Sequence, residues 1–197
     1  MVSKLWRNRP RSIAGATPPT LAPKSRPVDQ ANRPGTDFTD IQPAVDAARA
    51  GDRIRVRNGQ YSAPRISKPI TVFAEFGGAR IGSATQIFTI ENIPFGTVCT
   101  VAGMVLESQI VIVQICKGTV ALSGFAISRG FAPLPTISFT DCDAVTMHGC
   151  ALKSTIYAFR SRLVMSDSYV LPTANANALM GGLVSDDTDV ALSGKQL

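Results

Sequence analysis

Residues 37–81, DFTDIQPAVDAARAGDRIRVRNGQYSAPRISKPITVFAEFGGARI, change period part-way along. In the first third, Ile41, Ala44, Val45 and Ala48 recur at helical spacing as one apolar stripe. Asp37 or Thr39 is placed to cap the start of this helix and Gly51 to end it. After Gly51 the period is two. Ile54 and Val56 alternate with Arg53, Arg55 and Arg57, Asn58-Gly59 supplies a tight turn, and Ile66, Ile70 and Val72 mark two further short strands. No later stretch reads as a helix long enough to connect parallel strands in a doubly wound α/β sheet. The expected architecture is all-β: a short parallel β-helix with a capping helix over 37–51.

Working outward, short apolar units repeat towards the C-terminus: CTVAGMVL around Gly103, VALSGFAI around Gly124, VTMHGCAL around Gly149, LVMSDSYV around Asp167 and VALSGKQL around Gly194. The marker positions are 21, 25, 18 and 27 residues apart, a mean of about 23, the length of one turn of a three-sided solenoid. Each unit reads as a strand, a sharp bend and a second strand. Further strands are expected at Ile87 to Ile90, Ile110 to Ile115, Thr136 to Phe139 and Ile156 to Phe159, giving about seven coils. Residues 171–185 lack a two-residue period, so 171–197 is expected to act as a C-terminal cap or interface segment.

The order T-D-I-Q-x-A-V-D-A-A-x-x-G-D-x-I-x-V-x-x-G-x-Y, continuing to I-S-K-P-I-T-V, resembles the opening of right-handed parallel β-helix proteins of the pectin-lyase-like superfamily. The resemblance implies that the helix plugs the N-terminal end of the solenoid and that Gly59 and Tyr61 sit at the first corner. It implies no single function, since this opening precedes lyases, hydrolases, adhesins and viral spikes alike.

The chain has 197 residues, 45% of them hydrophobic but only 7% aromatic, as stacked short strands around a narrow core require. Its net charge of +6 lies entirely in residues 1–36, where Lys4, Arg7, Arg9, Arg11, Lys24, Arg26 and Arg33 stand against Asp29 alone. Prolines at 10, 18, 19, 23, 27 and 34 exclude a continuous helix there. Residues 1–36 are therefore expected to form an extended basic arm, and 37–197 one β-helix domain. The arm has no apolar run of signal-peptide type, and no later run approaches a membrane span, so synthesis in the cytoplasm is expected.

Candidate chemistry is thin. Cys99, Cys116, Cys142 and Cys150 lack metal-ligand spacing and sit in apolar strand contexts, which reads as reduced thiols in the core; a Cys142–Cys150 disulfide is the alternative. His148 in Met-His-Gly and the pair Asp186-Asp187 occur in the opposite order from the motif of polygalacturonases, so a turn histidine and an acidic loop are the plainer reading. Asp141, Asp143, Asp186, Asp187 and Asp189 offer the hard oxygens that calcium prefers, but such residues also serve turns. Phe125, Phe131, Phe139, Tyr157, Phe159 and Tyr169 fall at mixed phases and read mostly as core or turn residues. No catalytic set and no cofactor is expected.

The expected function is that of a non-enzymatic structural or assembly protein. In this reading the arm, through Lys4, Trp6, Arg7, Arg9, Arg11, Lys24, Arg26 and Arg33, docks the solenoid onto protein subunits of a phage or phage-like particle, as a head decoration, spike base or tail component. Arg53, Arg55 and Arg57 form a candidate docking stripe, and a homotrimer is favoured. The alternative is a carbohydrate-binding or polysaccharide-cleaving β-helix. Nucleic acid is disfavoured, because one tryptophan makes no stacking platform.

Overall fold

The computed structural model describes residues 22–75, 78–83, 85–107, 110–127, 136–170 and 183–193. The chain enters as strand β1 (Ser25–Val28) and turns into a single helix, α1 (Ile41–Ala47). Six rungs of three short strands follow. They are β2 (Arg53–Val56), β3 (Gly59–Tyr61) and β4 (Arg65–Ile66); β5 (Thr71–Ala74), β6 (Ala79–Ile81) and β7 (Ile87–Glu91); β8 (Val98–Ala102), β9 (Met104–Leu106) and β10 (Ile110–Gln114). The later rungs are β11 (Thr119–Ser123), β12 (Ala126–Ile127) and β13 (Thr136–Thr140); β14 (Ala144–His148), β15 (Ala151–Leu152) and β16 (Thr155–Phe159); β17 (Arg162–Ser166), β18 (Tyr169–Val170) and β19 (Leu183–Asp186). Strand β20 (Asp189–Ser193) ends the described chain.

Each strand pairs in parallel with its counterpart about one turn later, which makes three sheets: an eight-stranded face A from β1 to β20, a six-stranded face B and a six-stranded face C. The protein is a parallel β-solenoid of about five turns, with β1 and β20 extending face A at its two ends. The expected count of about seven coils is approached only on face A. Its eight strands span roughly 34 Å along the stack.

Alternation fills the interior. Ile54, Val72, Val101, Leu122, Met147 and Met165 form one in-register column on face A, all buried. Phe88 and Phe139 fill face C from within, and the register sets bulky Phe139 beside small Ala158.

The corners explain the repeat. Where face A turns into face B, Gly103, Gly124, Gly149 and Asp167 all have positive φ, and each backbone N–H donates to the last strand residue of the next rung. These are the repeat markers, and only residues that tolerate the left-handed region fit there. The fifth marker, Gly194, lies outside the described residues.

Three expectations at the N-terminal end are corrected. Helix α1 starts at Ile41 rather than Asp37, and its N-cap is Asp40, whose carboxylate accepts from the N–H groups of Ile41 at 2.7 Å and Ser62 at 3.2 Å. It ends at Ala47 because Lys68 Nζ donates to the carbonyls of Val45, Asp46 and Ala48 at 2.8–2.9 Å, satisfying helix-end acceptors well before Gly51. The arm does not extend to residue 36. Residues 25–28 pair with 53–56 as an edge strand of face A, where proline at 27 is tolerated.

At the other end, β19 and β20 continue faces C and A, so those parts of 171–197 are rungs rather than a cap. Residues 171–182 and 194–197 lie outside the described residues.

Candidate functional site

The N-terminal end is held by two carboxylates that no local window reveals. Asp29, buried, accepts from Arg33 Nε at 2.6 Å, Arg57 Nη1 at 3.1 Å and the Ala31 N–H at 3.0 Å. The Arg33 hydrogen bond, with Arg57 and Ala31 behind it, holds this carboxyl far below the usual carboxylate range against the opposing push of burial. Asp52 accepts from the Lys24 and Arg49 N–H groups at 2.8 and 3.0 Å and from Arg26 Nε at 3.0 Å. Burial works to raise the Asp52 pKa, but these hydrogen bonds prevail and it too is lowered.

The expected docking residues are thereby divided. Lys24 contributes its backbone N–H to Asp52, while Arg26 and Arg33 spend their side chains on the chain's own acids. Lys4, Trp6, Arg7, Arg9 and Arg11 lie outside the described residues. The Arg53, Arg55 and Arg57 stripe is divided as well. Arg55 Nε lies 2.9 Å from Glu75 and Arg57 joins Glu75 and Asp29, so only Arg53 is exposed with no ion-pair partner among the described residues. A depression of about 690 Å³ opens beside it, lined by Lys24, Arg26, Arg49 and Asp52 among others.

A second corner ladder, from face C to face A, was missed by the sequence reading. Asn92, Ile115, Asp141, Arg160 and Asp187 have positive φ, and the residues after four of them, Ile93, Cys116, Cys142 and Ser161, turn inward and are buried. All four cysteines are free and buried, as expected of core thiols. Cys116 and Cys142 sit on consecutive rungs of this ladder, and the Asp143 N–H donates to the Cys116 carbonyl at 2.8 Å. The neighbouring Cys142 thiol draws the Cys116 pKa down, while Cys116 and burial push Cys142 up; the Cys142 thiol donates to the Thr140 carbonyl at 3.3 Å. Burial pushes Cys99 up to about 12. Cys150 follows the other corner, with its thiol aimed at the Leu122 and His148 carbonyls, so the geometry does not present Cys142–Cys150 as a pair.

The acidic residues are dispersed by their partners. Asp141 grips Arg160 with two hydrogen bonds at 2.7 and 2.9 Å, and Asp143 pairs with Lys117 at 3.0 Å. Among the described residues no three His, Cys, Asp or Glu side chains gather as a metal site. His148 ends β14 on the outer surface, with Nδ1 3.0 Å from Ser166 Oγ and 3.5 Å from Asp167, all on the rim of the face A corner.

Two outward features stand apart from the expected docking residues. In the Pro94-Phe95-Gly96-Thr97 turn, the Thr97 N–H donates to the Pro94 carbonyl at 3.2 Å and Gly96 has φ +73°, a type II pattern. Phe95 at its tip is 85% exposed, flanked by exposed Val98 and, one rung on, Ile115. The turn lies tight on Gly118, where a Cβ would come within 2.3 Å of the Pro94 carbonyl oxygen. The second feature is on face C. Ile156 and Ala158 point inward, so Tyr157 and Phe159 point outward, half-buried, with rings parallel to within 6° and centroids 6.3 Å apart. Alternation along Thr155–Phe159 was the available signal; reading these two as core or turn residues is corrected.

Comparison with protein-family models, curated proteins and solved structures finds no match to this chain.

Proposed function

We propose that the protein is a non-enzymatic structural module, a rigid solenoid that joins protein subunits in a larger assembly. The observation that carries this reading is the Phe95 corner. A large aromatic side chain held out on a well-fixed turn, beside exposed Val98 and Ile115, has the composition of an interface anchor rather than of an ordinary solvated loop. The basic N-terminal segment supports it. Residues 1–21 carry Lys4, Arg7, Arg9 and Arg11 and no acidic residue, and the chain after them is fastened to the cap through Asp52. The segment supplies electrostatic attraction to an acidic neighbour, and the corner supplies apolar contact. A homotrimer is the favoured arrangement, and the short solenoid with its basic N-terminal segment favours a phage or phage-like particle as its setting.

The test is the solution mass, by light scattering coupled to size exclusion, of the full chain, of Phe95→Glu and of a chain lacking residues 1–21. The expected result is an oligomer for the full chain, a monomer for Phe95→Glu and weakened association for the truncation, all three with the same far-UV circular dichroism spectrum. A full chain that stays monomeric at every concentration, or an oligomer indifferent to Phe95→Glu, contradicts the proposal. Truncation belongs before residue 22, since removing 1–36 also removes β1 and Asp29.

A further inference from the structure

We propose that face C carries a binding site for a neutral oligosaccharide, built on Tyr157 and Phe159 and continuing into the hollow at the adjoining corner. Four observations carry it. The two rings are parallel, half-exposed and on one strand, and offer apolar faces against which the C–H groups of a pyranose can lie. Strand β13 beside them presents Ser138 and Thr140 outward, in register with Tyr157 and Phe159, with the two hydroxyls 3.4 Å apart. These are short donor–acceptor groups level with the rings, as sugar hydroxyls need. Directly after Phe159, Arg160 is fixed in place by the two hydrogen bonds it donates to Asp141, so its remaining donors are held without further loss of freedom. Beyond it opens a hollow of about 240 Å³ with polar walls, including Asp143, Arg160, Arg162, Asp187 and Asp189.

Charge selects the ligand class. Among the described residues, Asp141, Asp143, Asp186, Asp187 and Asp189 outnumber Lys117, Arg160 and Arg162 around the site, so uronate or sulfated chains are repelled and uncharged ones are not. The site is separate from the Phe95 corner and does not depend on the assembly reading.

The experiment is saturation-transfer NMR on the full chain with cellohexaose, xylohexaose and mannohexaose, each at millimolar concentration, and with hexagalacturonate as the charged control. The expected result is transfer from Tyr and Phe ring protons to at least one neutral hexasaccharide and none to the galacturonate. Tyr157→Ala and Phe159→Ala should each weaken binding about tenfold, while Tyr157→Phe retains it. Phe159→Leu, which keeps apolar bulk without a ring, serves if an alanine variant does not fold. Three outcomes overturn the proposal: no transfer to any neutral sugar, equal transfer to hexagalacturonate, or binding unchanged in the ring variants. Self-association of the wild type that the same variants abolish would also overturn it, by making this face a protein interface.

Discussion

The two ends of one core column differ more than any other pair of regions in the molecule. At the N-terminal end the column begins under Arg26, which lies in register above Ile54 and is tied to Asp52, while Ile41, Ala44 and Val45 of the helix close the remaining opening. At the other end Leu192 occupies the position that Met165, Met147 and Leu122 fill on the preceding rungs, yet it is 54% exposed. The same inward register gives burial only where a further layer covers it. A solenoid rung is thus stabilised by its neighbours rather than by itself, and the ends are where that dependence becomes visible.

The largest expected consequence is at the closed end. Ile54→Ala removes a fully buried side chain from the column, between Arg26 and Val72, and should lower unfolding stability by about 3 kcal/mol in urea titration. An intermediate effect is expected at the Asp29 network under acid. Because the Asp29 pKa is lowered on folding, its contribution is complete above the unfolded value and is lost as pH falls through and below about 4. The urea midpoint of the wild type should therefore drop between about pH 6 and about pH 3. Asp29→Asn should start lower and fall less steeply, with Asp52 and Glu91, also lowered on folding, supplying the residual slope. Parallel acid profiles for the two proteins would remove Asp29 from the account. The smallest effect belongs to the open end: Leu192→Ala should cost less than about 1 kcal/mol, and a cost equal to that of Ile54→Ala would mean that the two ends are equally covered.

The parts legible in the sequence were those with local causes. Alternation exposed the strands, and the face A corners announced themselves because Gly103, Gly124, Gly149 and Asp167 suit positive φ. The second corner ladder was hidden, since Ile115 and Arg160 are poor left-handed formers and only the stacked backbone of neighbouring rungs holds them there. Strand β1 was hidden too. Its four residues include a proline and an arginine and form a strand only because 53–56, far along the chain, pair with them. The aromatic pair was obscured by treating aromatics as one set. Phe139 and Phe159 both sit on face C strands, but register places Phe139 beside inward Ala158, so one ring is core and the other surface.

Amide hydrogen exchange along the full chain tests the contrast between the ends most directly. The structure requires slow exchange in β2 and β5, measurable protection in β1 where it pairs with Arg53–Val56, and faster exchange in β20 than in β2 and β5. Protection of Asp189–Ser193 equal to that of Arg53–Val56, or free exchange throughout Ser25–Val28, would contradict it.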